Sequence, residues 1–154
     1  MTVKMWTEWV KFVGTKCGPR IAAVFDFSYR FGLRASEVLR LKRGAICLAD
    51  ATLYIRVKST QASLGAHDQW LKDVLKRGYR VQRMRRHKYV EECFKIKEDG
   101  YIFTSGPGAK NKHLHYQAIQ RHCKIQVPQF LKYLKDNGKN WSNDLLSFLH
   151  LYLR

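Results

Sequence analysis

The sequence predicts an α+β fold, mainly helical with a small antiparallel β-ribbon. Two observations carry that expectation. Apolar residues recur at helical spacing over most of the chain, and the period drops to two within "AICLADATLYIRVKS", residues 45–59. The breaks between segments are single glycines and prolines, with no repeat and no low-complexity linker, so the 154 residues read as one domain.

Val3, Trp6, Val10 and Val13 give a first amphipathic helix over residues 3–16. "CGPR" breaks it, and Pro19 suits the first turn of the next helix, where its missing N–H is not needed. Residues 20–31, "RIAAVFDFSYRF", are apolar on most faces and predict a central helix buried on several sides. Gly32 stops it. "RASEVLRLKR" resumes a helix, with Ser36 as its cap and Glu37 favouring the positive N-terminal end; Gly44 ends it.

Ile46 and Leu48 then alternate, "ADA" supplies a turn, and Leu53, Ile55 and Val57 alternate with Tyr54, Arg56 and Lys58. This is a hairpin with one apolar and one basic face. Residues 64–77 read as a helix. "GYIFTS" (100–105) reads as a short strand and "GPGAKNK" (106–112) as a loop. Helices follow over 112–124 and 128–137. "NGKN" breaks the pattern, and "WSNDLLSFLHLYLR" is a last amphipathic helix.

The net charge is +17, from 29 Lys/Arg against 12 Asp/Glu, and it is spread over both halves of the chain. A folded domain this basic expects a polyanion: nucleic acid first, an anionic membrane surface second. Apolar runs such as "IAAVF" fall far short of the ~20 residues of a membrane span, so no membrane insertion is expected. The N-terminus lacks the apolar region of a secretory signal, which predicts an intracellular protein.

Cys17, Cys47, Cys93 and Cys123 form no C-x-x-C pair, so they read as reduced thiols, several of them buried, and not as zinc ligands or a disulfide framework. His113 and His115 lie two apart, which would face them apart on a helix, and no carboxylate accompanies them. They read as exposed histidines beside a basic loop, with no metal site. His122 and Cys123 are adjacent and diverge on a helix, which disfavours a nucleophilic pair.

Residues 76–88, "KRGYRVQRMRRHK", hold seven Lys/Arg and no acid. Tyr79, Met84 and Tyr89 interleave, so part of the run can pack while Arg80, Arg83, Arg85, Arg86 and Lys88 face phosphates. Such contacts release counterions and give salt-dependent, sequence-blind affinity. The 106–112 loop lacks the G-x-x-x-x-G-K-[ST] pattern of a nucleotide-binding loop, yet Lys110 and Lys112 are candidates to meet a backbone phosphate.

"FGLRASEVLRL" (31–41), set between an apolar helix and a two-stranded ribbon ending in a lysine, resembles the catalytic domain of tyrosine recombinases, the phage-integrase family. There a T-G-L-R-x-S-E-L-x-x-L segment carries the first catalytic arginine. The resemblance implies that Arg34 binds the scissile phosphate, that Glu37 stabilises the turn around it, and that Lys58 protonates the leaving 5′-oxygen. A guanidinium can donate two hydrogen bonds to phosphate oxygens and offset transition-state charge. Lys58 lies on the same face of the ribbon as Arg56 and Tyr54. The resemblance further implies a recombinase-like core, DNA as partner with room for a homo-oligomer on it, and no metal or other cofactor.

The likeness extends over roughly residues 3–125, with its specific motif between about 30 and 58. The family's "R-x-V-P" strand is missing, "GYRVQRMRR" being the nearest material, and it comes late in the chain. An H-x-L-R-H box and a following nucleophilic tyrosine are not found: His150 and Arg154 are four apart where the motif needs three, and Tyr152 precedes Arg154. Without that tyrosine the phosphotyrosyl intermediate cannot form. The expectation is therefore a truncated or degenerate recombinase-like domain that binds DNA without cutting it. Two rivals stand beside it: a non-enzymatic basic module for nucleic acid, RNA included, and a protein- or membrane-surface module with a basic face.

Overall fold

A computed structural model describes residues 2–47, 52–56, 79–83, 95, 99–106, 112–140, 147 and 149. Helix α1 spans Val3–Cys17. Thr2 caps it, its hydroxyl oxygen accepting from the Met5 N–H at 3.3 Å. The buried face is Met5, Trp6, Trp9 and Val13. Trp6 and Val13 are thus buried as expected and Val10 packs half-buried against the core, whereas Val3, in the first turn, is 65% exposed.

Helix α2, Pro19–Phe31, begins with proline in its first turn and ends at Gly32, whose φ of 61° and ψ of 36° are left-handed. The Leu33 N–H reaches back to the Ser28 carbonyl at 3.0 Å, and Leu33 itself is buried, as a helix stop of this type requires. Eight consecutive residues of α2, Ile21 to Ser28, are buried, so this is the central helix. Trp6 stacks on Tyr29 at 4.8 Å, Trp9 meets Phe25 edge-on at 5.5 Å, and Phe27 meets Phe103 at 5.5 Å. Asp26, buried in the same helix, accepts from the Arg30 guanidinium at 2.8 Å.

Helix α3 is short, Ala35–Leu39. A 3-10 turn over Arg43–Ala45 leads into strand β1, Ile46–Cys47. Strands β2, Thr52–Arg56, and β3, Tyr79–Arg83, complete an antiparallel sheet of order β1-β2-β3. The ribbon therefore has three strands, and the third is made by "YRVQR" from the basic run. The register sets Ile55 opposite Arg80 and Leu53 opposite Gln82, while Tyr54 faces Val81, Arg56 faces Tyr79 and Thr52 faces Arg83. Leu53 and Ile55 are buried, so the strand's alternate residues face the core as the period-two pattern of β2 predicts.

Residues 100–105 do not form a strand of this sheet. They run between two neighbours and touch each through one isolated bridge, Lys42 with Tyr101 and Thr104 with His113. Residues 112–115 are extended, and a single helix α4 follows over Tyr116–Asp136. The two helices expected on either side of "VPQ" are thus one, with Pro128 inside it. Proline removes one helical hydrogen bond, here the one to the Lys124 carbonyl, at a cost of about 3 kcal/mol. Pro128 and Lys124 are both exposed, so water can take that bond. The opposite face, Ile119, Cys123, Val127, Phe130 and Leu134, is buried and holds the helix together across the proline.

Helices α1 and α4 run antiparallel. Phe130 packs on Trp9 at 5.2 Å and on Phe12 at 5.0 Å, and Lys139, just past α4, grips the Glu8 carboxylate at 2.6 Å through both oxygens. Positions 147 and 149 are helical, with Ser147 exposed and Leu149 buried. The helix expected over 64–77 lies outside the described residues. Among the described residues, no helix is long and apolar enough to cross a membrane.

Candidate nucleic-acid interface

Arg34 owes its position to its two neighbours. Gly32 turns the chain out of α2, Leu33 plugs into the core, and Arg34 is left exposed at the start of α3. Its φ of −69° and ψ of 150° are those of an N-cap residue, and its carbonyl accepts from the Val38 N–H at 3.0 Å. The Glu37 carboxylate accepts from the Arg34 N–H at 2.8 Å. This is one arm of a capping box; the other arm needs an acceptor that a guanidinium does not have. The cap of α3 is therefore Arg34 acting through its backbone, and Ser36, expected in that role, lies inside the helix. Ser36 sits only one residue before Glu37, whereas the carboxylate reaches back three residues to close the turn.

Among the described residues the Arg34 guanidinium makes no ion pair. Its backbone is fixed and its side chain is open to an incoming anion.

Of the other expected contacts, Arg56, Arg80 and Arg83 lie on β2 and β3. Lys112 is exposed, and its carbonyl accepts from the Ser105 N–H at 3.0 Å. Lys58, Arg85, Arg86, Lys88 and Lys110 lie outside the described residues.

Two groups of side chains escaped the sequence reading. Arg121, Lys124, Lys132 and Lys135 are all exposed on the solvent side of α4, a basic stripe about 20 Å long at 1.5 Å per residue. The 3.6-residue period that places Ile119, Cys123, Phe130 and Leu134 inside also places these four outside, but only once the helix is seen to run through Pro128. The second group is Lys42, whose ammonium lies 5.1 Å from the centre of the Tyr101 ring, with His113 against the same ring and His115 next to His113. The bridge joining positions 42 and 101 brings it together, which no local pattern announces.

The thiols are not part of either group. Cys17 and Cys47 are half-buried and Cys123 is fully buried; Cys93 lies outside the described residues. Burial pushes the Cys123 thiol up to about 12, with nearby Cys17 adding to the effect. Burial, with Arg20 nearby, holds His122 below the usual imidazole range. Among the described residues, no group of three or more His, Cys, Asp or Glu is placed to hold a metal ion.

No protein-family model matches the chain, and neither a curated protein nor a solved structure was found to match it.

Proposed function

We propose that this chain is a DNA-binding domain of the tyrosine-recombinase kind, one that holds duplex DNA by its backbone and does not cut it. Arg34 is the central phosphate contact. Arg56 and Arg83 on the sheet, the basic run to Lys88, and the exposed stripe of α4 neutralise flanking phosphates. Lys58 is the general-acid candidate that the family likeness adds.

The observation that carries the reading is the setting of Arg34. It is exposed and unpaired among the described residues, and anchored on one side by buried Leu33 and on the other by the bond from its N–H to Glu37. An arginine held this way loses little further backbone freedom when it meets a phosphate, and its planar fork suits two phosphate oxygens. The charge of +17 supplies the long-range attraction.

The test is duplex binding by fluorescence anisotropy over a range of salt, with Arg34→Ala and Arg85→Ala beside the wild type. Each arginine that contacts a phosphate should reduce the salt slope by about 1, and Arg34→Ala should weaken binding more than Arg85→Ala. Equal losses would reduce the reading to a generic basic module. Anionic vesicles bound as tightly as duplex would overturn it. A nicked suicide substrate completes the experiment: a covalent adduct would show that a tyrosine of this chain cleaves, and the claim of binding without cutting would fall.

A further inference from the structure

A second anion site lies away from Arg34. The segment 100–105 is held on one side by Leu41 to Arg43 and on the other by Lys112 to Leu114. Four backbone hydrogen bonds fix it: Arg43 N–H to Gly100, Ile102 N–H to Leu41, Ser105 N–H to Lys112, and Leu114 N–H to Phe103, all between 2.8 and 3.0 Å. Leu41, Ile102, Phe103 and Leu114 point into the core. Their neighbours Lys42, Tyr101, His113 and His115 are half-buried or exposed.

Because residues 112–115 are extended and not helical, the two-residue spacing of His113 and His115 brings them together. In an extended chain, i and i+2 share a face. Their rings are 5.7 Å apart, and the His113 ring meets Tyr101 edge-on at 5.3 Å. The Lys42 ammonium sits by the same tyrosine at 5.1 Å, a cation–π contact. His113 Nδ1 lies 2.9 Å from the Leu114 carbonyl. Donation to that carbonyl keeps the proton on Nδ1 and leaves Nε2 to take up a second one. The carbonyl is an acceptor for the neutral and the charged ring alike.

We propose that Lys42, His113 and His115, set around Tyr101, form a phosphate cradle for the backbone of a nucleic acid, and that protonation of the two imidazoles strengthens its grip. The inference rests on the nucleic-acid reading above and adds a second contact to it, under pH control. The groups on the packed elements favour an anion. Lys42 and Arg43 come from the 3-10 region, Tyr101 from the middle segment, Lys112 from the extended segment, and Tyr116 from the first turn of α4. Among the described residues, no carboxylate forms an ion pair with either imidazole. Imidazole is the side chain whose ordinary charge change falls between pH 5 and 8.

The experiment measures binding of the full chain to a fluorescent duplex at pH 7.5 and 5.5 over a range of NaCl, for the wild type and for His113→Gln/His115→Gln. Each phosphate newly neutralised steepens the plot of log affinity against log salt by about 0.9. The wild type should therefore steepen by about one to two on acidification and bind roughly tenfold or more tighter at about 0.1 M salt. The double variant should lose most of this response, although His67, His87, His122 and His150 are still present. His115→Gln alone, at an exposed position, should lose about half of it and guards against a folding defect in the double variant. Binding with the same slope at both pH values, or an undiminished response in the double variant, would overturn the cradle and leave the DNA reading standing. No binding at either pH would overturn both.

Discussion

Glu37→Ala tests the geometry on which Arg34 depends. The carboxylate accepts from the Arg34 N–H at 2.8 Å and sits in the first turn of α3. Loss of a capping hydrogen bond costs about 1 kcal/mol, within a range of about 0.5–2. Loss of a negative charge at a helix N-terminus costs about 0.3–1 kcal/mol more. Together they give about 1.5 kcal/mol. Helix α3 has only five residues, so its first turn is a large share of the whole element. Urea unfolding at neutral pH reads the effect. For a slope of about 2 kcal/mol/M, the midpoint should fall by about 0.7 M. Glu37→Gln keeps an oxygen acceptor without the charge and should lose about half as much.

Arg34→Ala supplies the contrast. Arg34 caps with its backbone alone, so truncating its side chain should leave the stability within about 0.5 kcal/mol of wild type, about 0.25 M in urea midpoint, while DNA affinity drops. Glu37→Ala should do the reverse in emphasis, with a clear loss of stability and a smaller loss of affinity. A Glu37→Ala protein as stable as wild type would refute the cap. An Arg34→Ala protein that unfolds at much lower urea would show that the guanidinium holds the fold, and would remove the argument for a phosphate contact.

Two further outcomes follow from the same structure. Gly32→Ala places a Cβ where nothing lies within 4 Å, so its penalty is purely the left-handed backbone at φ 61°; it should destabilise by about 1–2 kcal/mol, with Gly32→Asn closer to wild type, and a neutral alanine would argue against the turn. Cys123 has its folded value raised from 9.0 to about 12, so its contribution is fully present below pH 9 and is lost as pH rises toward 12. Urea midpoints between pH 7 and 10 should fall more steeply for wild type than for Cys123→Ala, and identical pH profiles would contradict this.

Much of the helical frame is legible in the sequence because it is written in strong local signals. Pro19 and Gly32 bound α2 as glycine and proline chemistry requires, and the unbroken apolar run between them marks the central helix. The errors share one cause, which is that distant packing overrode a local cue. Pro128 reads as a break, yet the buried row from Ile119 to Leu134 carries the helix through it. "GYIFTS" reads as a strand, but its neighbours offer only one bridge on each side. Val3 has the right period for the apolar face and the wrong place, on the first turn and away from the partner helices. Position 34 is legible as special because G-L-R follows a buried helix, although Ser36 is the stronger local cap signal and Arg34 is the cap. The cradle of Lys42, Tyr101, His113 and His115 was not legible, since it depends on pairing residues about 60–70 apart.

The ion pair between Glu8 and Lys139 joins residues 131 apart, and the Trp9–Phe130 contact is nearly as distant. A ribosome adding about 5–20 residues per second needs roughly 6–25 seconds to travel from one partner to the other. During that interval α1 can pair with α2, but Trp9, Phe12 and Phe130 cannot meet. The nascent chain must therefore carry aromatic surface without cover until α4 emerges, a period in which limited proteolysis of stalled chains should cut α1 readily. Closure of α1 is thus a late step, made when α4, far downstream in the chain, reaches Trp9 and Phe12.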